Sequence, residues 1–200
     1  MTEKVDALLL PYGFSDDHFP MPGTISISSE TLKAIIRDVA DSLSRYGLRH
    51  LVIVSGHAGH LGQISDITYR LNLSYPVQGL RIHNISPYNT VSIERLATVL
   101  EEDMFIHAEE LETSIMLYLR PELVDMSKAV KEHPPFIPKG LTTPNFLEAI
   151  RIVTTSKFLG RDFKTGLCGD ATLASREKGE KLFNILTEGL VEAVKHVTSE

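Results

Sequence analysis

Leu51-Val52-Ile53-Val54-Ser55 is apolar throughout and β-branched in its middle. A strand apolar on both faces belongs inside a parallel sheet, with helices above and below it. The flanking sequence meets that demand. Upstream, Leu32, Ile35, Ile36, Val39, Ala40, Leu43 and Tyr46 recur at three- and four-residue steps, the stripe of an amphipathic helix. Ser29 is placed to cap its start and Gly47 to end it in a left-handed turn. Downstream, the loop at 56–60 leads into a second helix over 61–73 and then a strand over 80–85. Ala7-Leu8-Leu9-Leu10, stopped by Pro11, reads as an earlier buried strand. A helix covers 108–119, closed by Arg120-Pro121, and a long one covers 175–197, with Leu182, Phe183, Leu186, Leu190, Val191 and Val194 along one side. Prolines 134, 135, 138 and 144 make an irregular excursion of the stretch between these helices, not a second domain. The alternation predicts a single α/β domain over residues 1–200, a three-layer sandwich with a mostly parallel sheet flanked by helices.

Composition narrows the function. The chain has 200 residues with a net charge of −6 and no stretch rich in Lys or Arg, so it lacks the cationic footprint of a nucleic-acid binder. No segment reaches the roughly 18 apolar residues of a membrane span. The N-terminus carries no basic flank or apolar run, and the single cysteine, Cys168, suits a reducing compartment. A soluble, cytoplasmic domain with neither nucleic-acid nor membrane partners is expected.

Chemistry can sit in three places. Ser55-Gly56-His57-Ala58-Gly59-His60 follows the buried strand and opens a helix, the place where open parallel sheets bind ligands. Its imidazoles suit a metal; a phosphate cradle or a plain turn with two solvated histidines are the alternatives. The second segment is His107-Ala108-Glu109-Glu110-Leu111-Glu112-Thr113-Ser114. On a helix, Glu109 and Glu110 fall at the edge or far side, whereas Glu112 shares the apolar face with Ala108, Ile115, Met116 and Leu119. A buried carboxylate is tolerated mainly when paired, protonated or metal-bound. His107, just ahead, is then a general acid or base, or a cap. Third, Ser15-Asp16-Asp17-His18 can bind a divalent cation or form a surface turn. Asp170 reads as a helix cap. His50, His83, His133 and His196 have no partner spacing and default to solvated positions, and Cys168 has no neighbouring base to make it a nucleophile.

Four segments in order resemble the creatininase family of metal-dependent amidohydrolases. These are Pro22-Gly23-Thr24-Ile25-Ser26 with Glu30-Thr31-Leu32, the 55–60 loop, the 107–114 segment, and Gly169-Asp170-Ala171-Thr172-Leu173-Ala174-Ser175 with Glu177-Lys178-Gly179. The resemblance implies an α/β sandwich assembling into homo-oligomers, commonly hexamers, and two divalent metals (zinc, manganese or iron) across a bridging water. It makes His57 and Glu112 metal ligands and His107 the histidine that protonates the leaving nitrogen of a small linear or cyclic amide. The family's opening strand with Glu-x-His-Gly, and the aspartate bridging the metals, have no counterpart here, so the chain is expected to lack the first strand–helix unit. Asp17, His18 and His60 are the residues available to complete the site. A catalytically silent subunit acting through assembly or partner binding is the alternative. The absence of tryptophan, and Ala58 and Gly59 where creatininase proper is acidic, point to an amide other than creatinine.

Overall fold

The computed structural model describes residues 8–19, 21–74, 79–102, 106–133 and 164–199. The proline-rich excursion expected after residue 132 lies almost wholly outside them. Helix α1 (Ser29–Arg45) begins one residue off the expected cap: Ser28 is the N-cap, its hydroxyl accepting the Thr31 N–H at 3.1 Å. Gly47, at φ +70°, ends it as expected. Strand β1 (His50–Val54), helix α2 (Leu61–Ser74) and strand β2 (Arg81–Ile85) follow. The two strands pair in parallel, Leu51 against Ile82 and Ile53 against Asn84. Asn72 ties α2 to β2 by donating to the Ile82 carbonyl and accepting the Ile82 N–H, both at 2.8 Å.

A short helix α3 (Ile93–Leu96) precedes α4 (Glu110–Leu119). A two-stranded antiparallel ribbon, β3 (Lys131–Glu132) with β4 (Gly169–Asp170), leads to the terminal helix α5 (Arg176–Thr198). Ser175 caps α5 by accepting the Lys178 N–H; Asp170 instead caps the single 3-10 turn Ala171–Leu173. The order of elements is that of an α/β fold, with a described parallel sheet of two strands.

Apolar residues gather in two clusters. Leu32, Ile36, Ala40, Ile64, Ile67, Leu71, Leu80 and Ile82 hold α1 and α2 against the sheet. Leu96, Leu100, Leu111, Leu182 and Leu186 join α3, α4 and α5. Helices α4 and α5 pack closely because Gly179 faces Ser114: a Cβ on Gly179 would run into the Ser114 carbonyl oxygen. The expected strand at 7–10 is a correction. Among its described residues, Leu8 and Leu9 are 80% and 89% exposed and lie outside any strand. No described strand pairs with them, since β1 and β2 bond to each other, and an extended segment without a neighbour buries neither face.

Candidate metal centre

Four imidazoles converge beyond the carboxyl end of β1. The His18 ring lies 5.1 Å from that of His57 and 4.5 Å from that of His107, and His57 and His60 are 5.1 Å apart, all edge-on. Each is delivered by a different local device. His18 closes a 3-10 turn (Asp16–His18), and its carbonyl accepts from the Met21 N–H and the Thr24 hydroxyl, both at 2.8 Å. Gly23 supplies the left-handed turn that brings Thr24 back. Ser26 accepts the Ser15 N–H and donates to Asp16 at 2.6 Å. Asp17 is thereby left to face His18, its carboxylate 3.6 Å from Nε2.

His57 is extended, with its carbonyl held by the Ser55 hydroxyl at 3.1 Å, and the turn Ala58–His60 follows directly. The rings leave no room for neighbouring side chains. A Cβ on Gly59 would overlap His57 Nε2, and one on Gly13 would lie 2.7 Å from His60 Nδ1. His107 is placed by an antiparallel bridge to Cys168, donating its N–H at 3.3 Å and accepting at 2.8 Å.

Glu112, in the first turn of α4, accepts the Ala108 N–H at 2.6 Å, and its carboxylate lies 3.8 Å from His107 Nδ1. Its side chain is about a third exposed, at 34%. Glu109 and Glu110 are a further correction, for the structure buries both to 2% or less. The helix begins at Glu110, not at 108. Glu109 is therefore its extended N-cap, folding its carboxylate onto the Leu111 N–H at 2.6 Å. Glu110 turns inward to accept the N–H groups of Glu101 and Glu102 and the ammonium of Lys178.

The electrostatics follow from burial. Burial, then the neighbouring His18 and His60 rings, lowers the His57 pKa to about 4; burial and His18 do the same to His107. Burial also lowers His60. These imidazoles are neutral at pH 7, the state in which histidine ligates metals. Burial raises Glu112, opposed by its bond to Ala108, by His18 and by a hydrogen bond from the Tyr88 hydroxyl. Burial raises Glu109 well above the carboxylate range. The Cys168 thiol is pushed up to about 12, by burial first and then by Glu102 and Glu109, which removes it as a nucleophile at neutral pH.

The donor set suits a divalent transition metal. One ligand atom each from Asp17, His18 and His57 lies within 4.8 Å of the others. His57 Nε2 and His60 Nδ1 are buried with no hydrogen-bond partner, an expensive arrangement unless something else satisfies them. Neutral imidazole nitrogens with carboxylate oxygens are the ligands that zinc, manganese and iron accept. The same set offers an anion little, since it contains no Lys or Arg.

All six residues singled out in the sequence, Asp17, His18, His57, His60, His107 and Glu112, thus lie in one chain of contacts. Tyr88, which donates to Glu112, escaped sequence reading. Its position in the turn that follows β2 was the available signal, because sites gather at the carboxyl ends of parallel strands. Two histidines read as solvated are paired instead: His50 and His83 stack across β1 and β2, with Nδ1 and Nε2 3.2 Å apart. His196 is exposed, as expected.

Beside Gly169, Glu102 has a side chain only 4% exposed, with His133 Nε2 3.9 Å away. Burial pushes its pKa up from 4.5 to about 7, against the backbone hydrogen bonds of Asp170 and Glu110 that lower it. Between those values the native chain keeps a proton that the unfolded chain has released, so stability falls as pH rises through the window. Glu102→Gln is expected to flatten the urea-midpoint profile there. At pH 8 it should exceed the parent by on the order of 1–3 kcal/mol, while at pH 4 the two should coincide.

Known proteins resemble this chain in sequence and in fold. The creatininase family, described as creatinine amidohydrolase, matches residues 3–194, and the chain belongs to it. A creatinine amidohydrolase of Pseudomonas putida is 28% identical, covering 98% of this chain and 76% of its own. A 3-dehydro-scyllo-inosose hydrolase of Thermotoga maritima is 27% identical over 93% and 63%, and a mycofactocin precursor peptide peptidase of Mycolicibacterium smegmatis 25% over 95% and 67%. This chain thus spans about two thirds to three quarters of the relatives' length. Solved creatininases superpose on it, one with a TM-score of 0.70 over 92% of this chain and 72% of that one, at 25% identity. Manganese and zinc–zinc forms of creatininase superpose at 0.67 and 0.66, at 26% identity, over 88% of this chain and 67% of theirs. The family is one of hydrolases.

Proposed function

We propose that this protein is a metal-dependent amidohydrolase that cleaves a small linear or cyclic amide, in a single domain that works as a homo-oligomer. The observation that carries the reading is the buried, partnerless His57 Nε2 beside His18 and Asp17. His57 and Glu112 would hold the metal, with Asp17, His18 and His60 as further donors. A divalent cation bound there would polarise the amide carbonyl and bring the pKa of water towards about 7.

The chain's own groups supply the rest. His107 Nδ1 faces Glu112 and, with a pKa of about 4, is an unprotonated imidazole at neutral pH, free to take the proton that the attacking water loses as its oxygen bonds to the amide carbon. Glu112 would stabilise the imidazolium so formed, and the proton can then pass to the departing nitrogen. This exchange leaves His107 in its starting state. The hydroxyl of Tyr88 also hydrogen-bonds Glu112. The relatives' names span a cyclic amide, an inosose and a peptide, which supports a substrate class broader than creatinine.

The test is metal content per chain with amine release from a panel of cyclic amides, formamides and short peptides. Chelation should abolish release, zinc or manganese should restore it, and Glu112→Gln should lose both metal and activity. A native protein that takes up neither metal would overturn the reading and leave the catalytically silent subunit in its place, which the exposed Leu8 and Leu9 would then favour.

A further inference from the structure

Among the described residues Ala108 is the one non-glycine residue with a positive φ, +54°. A left-handed alanine is disfavoured because its Cβ crowds the following carbonyl oxygen, and such conformations persist only where their surroundings hold them. Both ends of the Ala108 unit are fastened to the first turn of α4. Its N–H donates to Glu112 Oε2 at 2.6 Å, and its carbonyl accepts the Thr113 hydroxyl at 2.9 Å. The Thr113 N–H is separately engaged by the Glu109 carbonyl at 2.9 Å, so the hydroxyl is not needed to start the helix.

The geometry has a direction. His107 precedes Ala108 and is anchored to Cys168 through its backbone; Glu112 follows one turn later. With Ala108 in the right-handed or extended region its N–H would point elsewhere, and Glu112 would lose the charge-assisted bond that holds its carboxylate beside His107. We propose that the left-handed Ala108 peptide, latched by the Thr113 hydroxyl, is a positioning device that aims the Glu112 carboxylate at the imidazole cluster and presets the His107–Glu112 pair. Its consequence for metal affinity rests on the reading of Glu112 as a ligand; the latch itself does not.

Thr113→Val keeps the shape of the side chain and removes its donor, and Thr113→Ser restores it. Two readouts separate the latch from the metal reading. The first needs no metal: hydrogen exchange of the Ala108 amide, which the latch should protect in the parent and in Thr113→Ser, and which should exchange faster in Thr113→Val. The second is zinc affinity by calorimetry, measured well below each variant's melting temperature. Support for a ligand loses about 10–100-fold in affinity when mutated, so Thr113→Val should bind zinc that much more weakly while Thr113→Ser binds as the parent does.

Equal Ala108 protection in parent and Thr113→Val would overturn the latch. So would unchanged zinc affinity in Thr113→Val when Glu112→Gln has lost it. Parent protein that binds no zinc yet shows the exchange difference would overturn the metal reading alone. Should Thr113→Val fail to fold, Ala108→Val provides the second arm. It retains the Thr113 and Glu112 side chains and penalises only the left-handed backbone. It should speed exchange at residue 108 and weaken zinc, and parent-like behaviour in both would overturn the proposal.

Discussion

His107→Ala is expected to lower kcat by about 10²–10⁴, the usual contribution of a positioned acid–base group, while leaving zinc or manganese content unchanged. The backbone at His107 makes both of its hydrogen bonds to Cys168, and these do not depend on the imidazole. The variant should therefore fold, with its melting temperature close to the parent's. The ring is also a third exposed, so its loss opens little cavity. A fall in kcat without loss of metal would separate proton transfer from ligation. Loss of metal in step with activity would instead make His107 a ligand, and full activity would remove it from the mechanism.

The largest expected effect on stability lies away from the site. Lys178→Met should destabilise the chain by about 3–5 kcal/mol, the cost of stranding one member of a buried ion pair. Lys178 donates to Glu110 at 2.5 Å, to Glu101 at 2.6 Å and to the Leu173 carbonyl at 2.8 Å, and Glu110 has no exposed surface. Without the ammonium, the Glu110 carboxylate keeps only the N–H groups of Glu101 and Glu102. The double variant Lys178→Met with Glu110→Gln should recover part of the loss, because the stranded charge is gone. A urea midpoint for Lys178→Met equal to the parent's would show that the pair contributes nothing net. Failure of the double variant to recover would place the cost in lost packing of the lysine stem.

The pairing of Lys178 with Glu110 illustrates how far residue patterning reaches. Lys178 and Glu110 are 68 positions apart, and helical periodicity relates residues only within an element. Periodicity put Glu110 at the edge or far side of α4. The error came from the helix start: with α4 beginning at 110, the first-turn glutamates point at whatever packs against the helix end, here α5 and the 101–102 backbone. Glu112 faces the candidate site, but the stripe that periodicity gave it is not the buried one: Met116 and Leu119 are 39% and 45% exposed, while Glu110, Leu111 and Ser114 are buried. The strand expected at 7–10 failed for a related reason. An apolar run states that a segment can be buried but not which neighbour will cover it.

The sequence by itself determined the local elements and the chemical inventory. Three- and four-residue spacing, caps and glycines define α1, α2, α4 and α5 to within about two residues, since those forces act between near neighbours. The loop after β1 was legible for the same reason, a both-faces-apolar strand followed by two histidines spaced by glycine. Only the tertiary structure decided the convergence. His18, His57 and the 107–112 segment that carries both His107 and Glu112 lie dozens of residues apart in sequence, and they meet only in a fold built on two separate apolar clusters. Burial then lowers the pKa of His57 and His107 and raises that of Glu112, and a residue acquires that environment only when the chain has folded.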